Sequence, residues 1–150
     1  MNRMTVGGLV ALLMTMTMAG AMSAKGRTVK LTVAGSGLSH PIQITDPNAV
    51  AANVWGGDFI GTPAKEPDKA LPRYVVSFYV EPPREKVRMM YVVYYARDPQ
   101  TGEGFIYLPG RGEEWYRLNV STIFRDGEDG TWRHASPAWS KAIAAVLPES

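Results

Sequence analysis

The 150-residue chain has no cysteine and two histidines, His40 and His134. Without a thiol there is no disulfide framework, no CxxC redox centre, no thiolate zinc site, no cysteine nucleophile and no diacylglyceryl anchor. The histidines stand in no HxH or HExxH spacing, so a histidine-centred metal site would have to recruit distant carboxylates. No metal and no cofactor is expected. An excess of one charge is missing too: 16 Lys and Arg face 14 Asp and Glu. A balance that even argues against electrostatic capture of nucleic acid or of anionic membranes, both of which need a basic stripe, so no nucleic-acid partner is expected.

Long apolar runs are confined to the start of the chain. Arg3 is the only charge in residues 1–24; it precedes an apolar run over 6–18 and then the small residues Ala19, Gly20, Ala21, Ser23 and Ala24. A basic start, a short apolar segment and a small-residue exit form the pattern of an export signal. The run is short for the ~20 residues that span a bilayer, so residues 1–24 are expected to be cleaved. The product is then periplasmic or secreted, without stable membrane insertion. Six of the eight methionines leave with the signal, and residues 25–150 keep 15 basic against 14 acidic side chains and all 15 aromatic rings. These 126 residues suffice for one globular domain with a core of its own.

Alternation marks the first strands. In Thr28-Val29-Lys30-Leu31-Thr32-Val33 the apolar residues take one face, as in a half-buried strand. Ala34-Gly35-Ser36-Gly37 breaks it, and Pro41-Ile42-Gln43-Ile44-Thr45 reads as its hairpin partner. Asp46-Pro47 signals a short helix, since Asp caps free N–H groups and Pro at the first helical position forfeits no hydrogen bond. Residues 61–72, with three prolines among charged residues, read as a surface loop. Residues 73–80 and 87–95 are dense in β-branched and aromatic side chains. The second run is apolar on both faces, as in a central strand covered on both sides. Phe105-Ile106-Tyr107-Leu108 completes an antiparallel meander. Residues 114–124 read as a further strand, with a helix as the alternative for part of it, and Thr131-Trp132-Arg133-His134 as the last strand. Ser136-Pro137 repeats the cap-and-proline signal before Trp139, Ala142, Ile143 and Val146 recur at helical spacing. The expected fold is α+β: an antiparallel meandering sheet, a short helix after Asp46, and a C-terminal helix packed on the sheet.

Compact catalytic motifs are lacking. Gly35-Ser36-Gly37 has neither the flanks nor the following helix of a nucleophile elbow, and Gly110-Arg111-Gly112 is a turn. Glu113 and Glu114, adjacent on a strand, would point to opposite faces and cannot flank one glycosidic bond. Asp126, Glu128 and Asp129 lack the spacing of a calcium loop. Asn119-Val120-Ser121 matches a glycosylation sequon.

The aromatics remain. Tyr and Trp join a large contact area to a polar tip, which suits stacking on sugars or gripping a partner. Most of these rings are needed for the core; Trp55, Tyr95, Trp115 and Trp132 are the candidate binding residues. The segments Ile44-Thr45-Asp46-Pro47, Leu71-Pro72-Arg73-Tyr74-Val75-Val76-Ser77-Phe78-Tyr79, Tyr107-Leu108-Pro109-Gly110 and Glu114-Trp115-Tyr116-Arg117-Leu118-Asn119 resemble a group of small exported bacterial proteins of unassigned function, over about 29–139. The resemblance implies a single exported bacterial domain and carries no site residue. The expected function is a non-enzymatic envelope or secreted module binding a partner protein or glycan. The alternative is a small hydrolase using dispersed polar residues such as His40, His134, Asp58 and Glu114.

Overall fold

A computed structural model describes residues 26–50, 60–120 and 130–148. Trp55, Asp58 and the acidic turn at 126–129 lie outside the described residues, as does the expected export signal. The described chain runs β1 (Arg27–Gly35), β2 (Ile42–Ile44), α1 (Pro47–Val50), β3 (Ile60–Pro63), β4 (Arg73–Glu81), β5 (Arg88–Arg97), β6 (Gly104–Leu108), α2 (Tyr116–Val120), β7 (Thr131–Ala135) and α3 (Pro137–Ala144). One antiparallel sheet holds the strands in the order β2-β1-β4-β5-β6-β7-β3. The fold is therefore broadly α+β, with little helix. The β1–β2 hairpin pairs Leu31 with Ile44 and Val33 with Ile42, and β4 to β7 form the expected meander.

Two segments depart from expectation. Residues 61–63, the start of the expected surface loop, join Ile60 in an edge strand beside β7; a proline at such an edge breaks no ladder bond. Residues 116–120, read first as a strand and in part as a helix by the alternative reading, form α2. Tyr116 and Val120 fit both an alternating and a helical pattern. Both pack on the core while Asn119 is wholly buried, which is the arrangement of a helix face rather than of a strand.

The core covers one face of the sheet. Leu31, Val33, Val76, Phe78, Tyr91, Val93, Tyr95, Ile106 and Leu108 point into it. Helix α3 lies on this face with Trp139 and Ile143 fully buried, and the Trp139 ring stands 5.9 Å from Phe78 and 6.0 Å from Tyr95. The start of α3 follows its sequence signal: Ser136 Oγ accepts the Trp139 N–H at 3.1 Å, and Pro137 takes the first turn. Gly104 lets the helix lie close. A Cβ there would stand 2.7 Å from both Ser140 Oγ and the Tyr95 hydroxyl, far inside van der Waals contact.

The other face carries Val75, Ser77 and Tyr79 of β4, Val92, Tyr94 and Ala96 of β5, Phe105 and Tyr107 of β6, and Trp132 and His134 of β7. Segment 64–72 returns from the β3 edge to β4 on this side. Ala64 N–H donates to Trp132 O at 2.8 Å, Arg73 donates to Pro67 O at 3.1 Å, and Pro67 is buried.

Candidate functional site

Adjacent residues on a strand point to opposite faces, so Tyr94 and Tyr95 part company on β5. Tyr95, expected at a binding face, is wholly buried beneath α3. Burial pushes its phenol pKa up to about 12, with the nearby Ser140 hydroxyl and Arg97 working against the rise. Tyr91 is raised further, also by burial. Both rings belong to the core, which corrects the assignment of Tyr95 to a binding surface. At pH 11 these two phenols should remain protonated in the folded protein and ionise when it unfolds. Because their folded pKa values are raised, the stability they contribute is complete below about pH 10 and is lost as pH climbs through about 12. Phenolate absorbance measured with and without denaturant checks this: equal absorbance at pH 11 would contradict the burial.

Tyr94 takes the opposite side and joins the candidate site. Its ring lies 6.2 Å from Tyr107, and Tyr107 lies 5.2 Å from Trp132. The three rings are partly exposed and cross three neighbouring strands as a continuous row. The Arg73 guanidinium sits 5.0 Å from the Trp132 ring centre and 3.6 Å from Glu66, so a cation–π contact closes one end of the row. At the middle ring Glu113 Oε2 accepts the Tyr107 hydroxyl at 2.7 Å and also the Gly110 N–H. Tyr94 has a raised pKa, first from partial burial and then from the negative charges of Glu114 and Glu113. Two exposed carboxylates therefore border the rings, and Glu113 is held in place by its hydrogen bonds.

Trp115 follows these carboxylates. Its φ is 71°, a left-handed conformation that is costly for a bulky residue. Tyr116 N–H donates to Glu113 O and Asn119 N–H to Trp115 O, so the turn is pinned on both sides. Trp115 is half-buried and, with Arg111, Glu113, Glu114 and Arg117, lines a concavity of about 740 Å³. Strained backbone held by its surroundings marks candidate functional positions.

Asn119 anchors the segment. Its side-chain oxygen accepts the Val92 N–H at 2.8 Å and its amide donates to Val92 O at 2.6 Å. Extending the β5–β6 register past Tyr94↔Tyr107 puts Pro109 opposite Val92. Proline has no N–H to offer, and the Asn119 amide stands in for the missing strand residue. The sequon asparagine is thus wholly buried and is no acceptor for sugar in the folded protein.

Of the hydrolase candidates, His40, His134 and Glu114 are described, and each has different surroundings. His40 is an exposed loop residue. His134 Nδ1 lies 2.8 Å from Glu103 Oε1, with the ring 5.5 Å from Phe105. Glu114 is placed with Tyr94 instead. Of the serines that follow β7, Ser136 caps α3 and Ser140 lies against Tyr95 on the core side. Among the described residues no cluster of three or more His, Asp or Glu side chains could hold a metal ion.

Of the sequence candidates, Trp132 sits in the row of rings and Trp115 in the adjoining concavity. Tyr94, Tyr107 and Glu113 were missed. For Tyr107 the visible signal was alternation, opposite in phase to Ile106 and Leu108; for Tyr94, on a strand apolar on both faces, the sequence carried none. No protein-family model matches the chain, and comparison with curated proteins and with solved structures gives no match either.

Proposed function

We propose that this is an exported, non-enzymatic binding module, and that the row Tyr94, Tyr107 and Trp132 binds a glycan. The observation that carries the reading is that contiguous, partly exposed row on the face away from the core, with Glu113 and Glu114 beside it. Aromatic faces stack on the apolar faces of sugar rings, and carboxylates accept hydrogen bonds from sugar hydroxyls. Residues 1–24 direct export and are removed, which leaves the module in the periplasm or outside the cell. No helix among the described residues is long and apolar enough to cross a membrane.

Affinity electrophoresis through soluble polysaccharides, and pull-down on peptidoglycan sacculi, test this. The wild type should be retained by at least one of these glycans. The double variant Tyr94→Ala/Trp132→Ala should bind at least tenfold more weakly, while Tyr95→Phe, altered only in the core, should bind as the wild type does. Equal binding by the double variant would remove the row from the site. Failure of the wild type to bind any of these glycans, with a protein co-purifying in its place, would replace the glycan by a protein partner.

A further inference from the structure

The even charge count of the whole domain conceals a segregation. At the end of the sheet formed by the β4–β5 hairpin and the start of β1 stand Arg27, Lys30, Arg84, Lys86 and Arg88, against Glu81 and Glu85. That end carries a net +3, which leaves −2 on the rest of residues 25–150. The two acids are already engaged, Glu81 with Arg27 at 3.3 Å and Glu85 with Arg88 at 3.4 Å. Lys30 lies 4.0 Å over the Tyr79 ring. Arg84 and Lys86 have no carboxylate partner among the described residues. Beside them Val87 is 48% exposed, the one large apolar side chain so exposed among the described residues.

The hairpin turn holds this tip in a strained form. Glu85 N–H donates to Pro82 O at 3.1 Å, and Arg84 has φ 64°. With Pro83 in the preceding position this is a type II turn, whose third residue is ordinarily glycine or asparagine. An arginine there costs stability that glycine would not. An exposed arginine in that position of a basic tip points to a use for the charge.

We infer that the β4–β5 tip is a reversible docking site for an anionic lipid bilayer, with Arg84, Lys86 and Arg88 among the headgroups and Val87 entering the interface. Each basic residue near an anionic surface raises partitioning about fivefold, so three net charges give about a hundredfold preference for anionic over neutral membrane. A single valine adds little. Docking is therefore peripheral and salt-sensitive, and it is separate from the aromatic row.

Sedimentation of the full chain with vesicles of phosphatidylglycerol and phosphatidylcholine, against pure phosphatidylcholine, tests the assignment. The apolar segment 6–18, where retained, contributes equally to every variant, so the ratio between variants reads the tip. Arg84→Glu/Lys86→Glu should reduce binding to the anionic vesicles at least tenfold at low salt, and 0.5 M NaCl should bring the wild type close to the variant. Arg84→Gly, which relieves the turn, should unfold at the same denaturant concentration as the wild type or a higher one, yet bind about fivefold more weakly. Equal binding of wild type and double variant, or equal binding to neutral and anionic vesicles, overturns the proposal. Capture on poly-aspartate beads without vesicle binding would assign the tip to an acidic protein surface instead, and would likewise overturn it.

Discussion

Asn119→Ala should destabilise the fold by about 2–5 kcal/mol, a large share of the about 5–15 kcal/mol that holds a domain together. The alanine removes both partners of Val92 at once, and Val92 is fully buried. Its N–H and C=O would be left without partners in a place water does not reach, at a cost of about 1–3 kcal/mol each. Pro109 offers no N–H to compensate. Asn119→Asp separates the two roles. An ionised carboxylate accepts from the Val92 N–H but faces the Val92 carbonyl oxygen with no proton to share; the protonated acid restores both bonds. Its folded pKa is therefore raised above the ordinary value of about 3.9. The stability it contributes is complete below that value and is lost as pH rises through the folded pKa. Denaturant melts should show this variant gaining stability on acidification between about pH 7 and pH 4 relative to Asn119→Ala. Parallel pH profiles for the two variants would contradict the peptide-like role of the amide.

Trp139→Ala should cost about 3–5 kcal/mol. Trp139 is fully buried between α3 and the sheet, against Phe78 and Tyr95. Its removal leaves a void lined by rings that are themselves fixed in the strands, so little of it can collapse. The capping variant Ser136→Ala, which removes only the bond from the Trp139 N–H, should cost about 1 kcal/mol. Chemical denaturation of the pair separates docking from capping. A loss below about 1 kcal/mol for Trp139→Ala would mean that α3 adds little to the core. Both variants leave the aromatic row intact, so their effect on glycan retention should follow the folded fraction alone.

Much of this architecture is written locally. Alternation in residues 28–33, the dense β-branched and aromatic runs of β4 and β5, and the Ser136-Pro137 signal each act within a few residues, and each produces its element. Period-2 and period-3.6 patterns merge where a segment is short. Tyr116 and Val120 satisfy both, and α2 wins because Trp115 turns left-handed and Asn119 reaches the open edge of β5. Nothing within 114–120 specifies that edge; it is created by Pro109, just past the end of β6.

The candidate site shows the same division. The sequence singles out aromatic density, and Trp132 and Trp115 are placed where that density is partly exposed. It also singles out Tyr95, whose neighbour Tyr94 is the ring on the outer face. On a strand apolar on both sides the two tyrosines are equivalent in pattern, and only the docking of α3 makes one face the core. Charge behaves alike. A count over residues 25–150 averages to +1, whereas pairing of β1 with β4 brings Arg27 and Lys30 to the end where Arg84, Lys86 and Arg88 already stand.

The sequence by itself determined the cysteine-free chemistry, the strands of the meander and the cap of the terminal helix, because these rest on residue type and short-range periodicity. Only the tertiary structure decided which rings face outward, which asparagine completes the sheet and where the positive charge gathers, because each depends on residues brought together from separate strands.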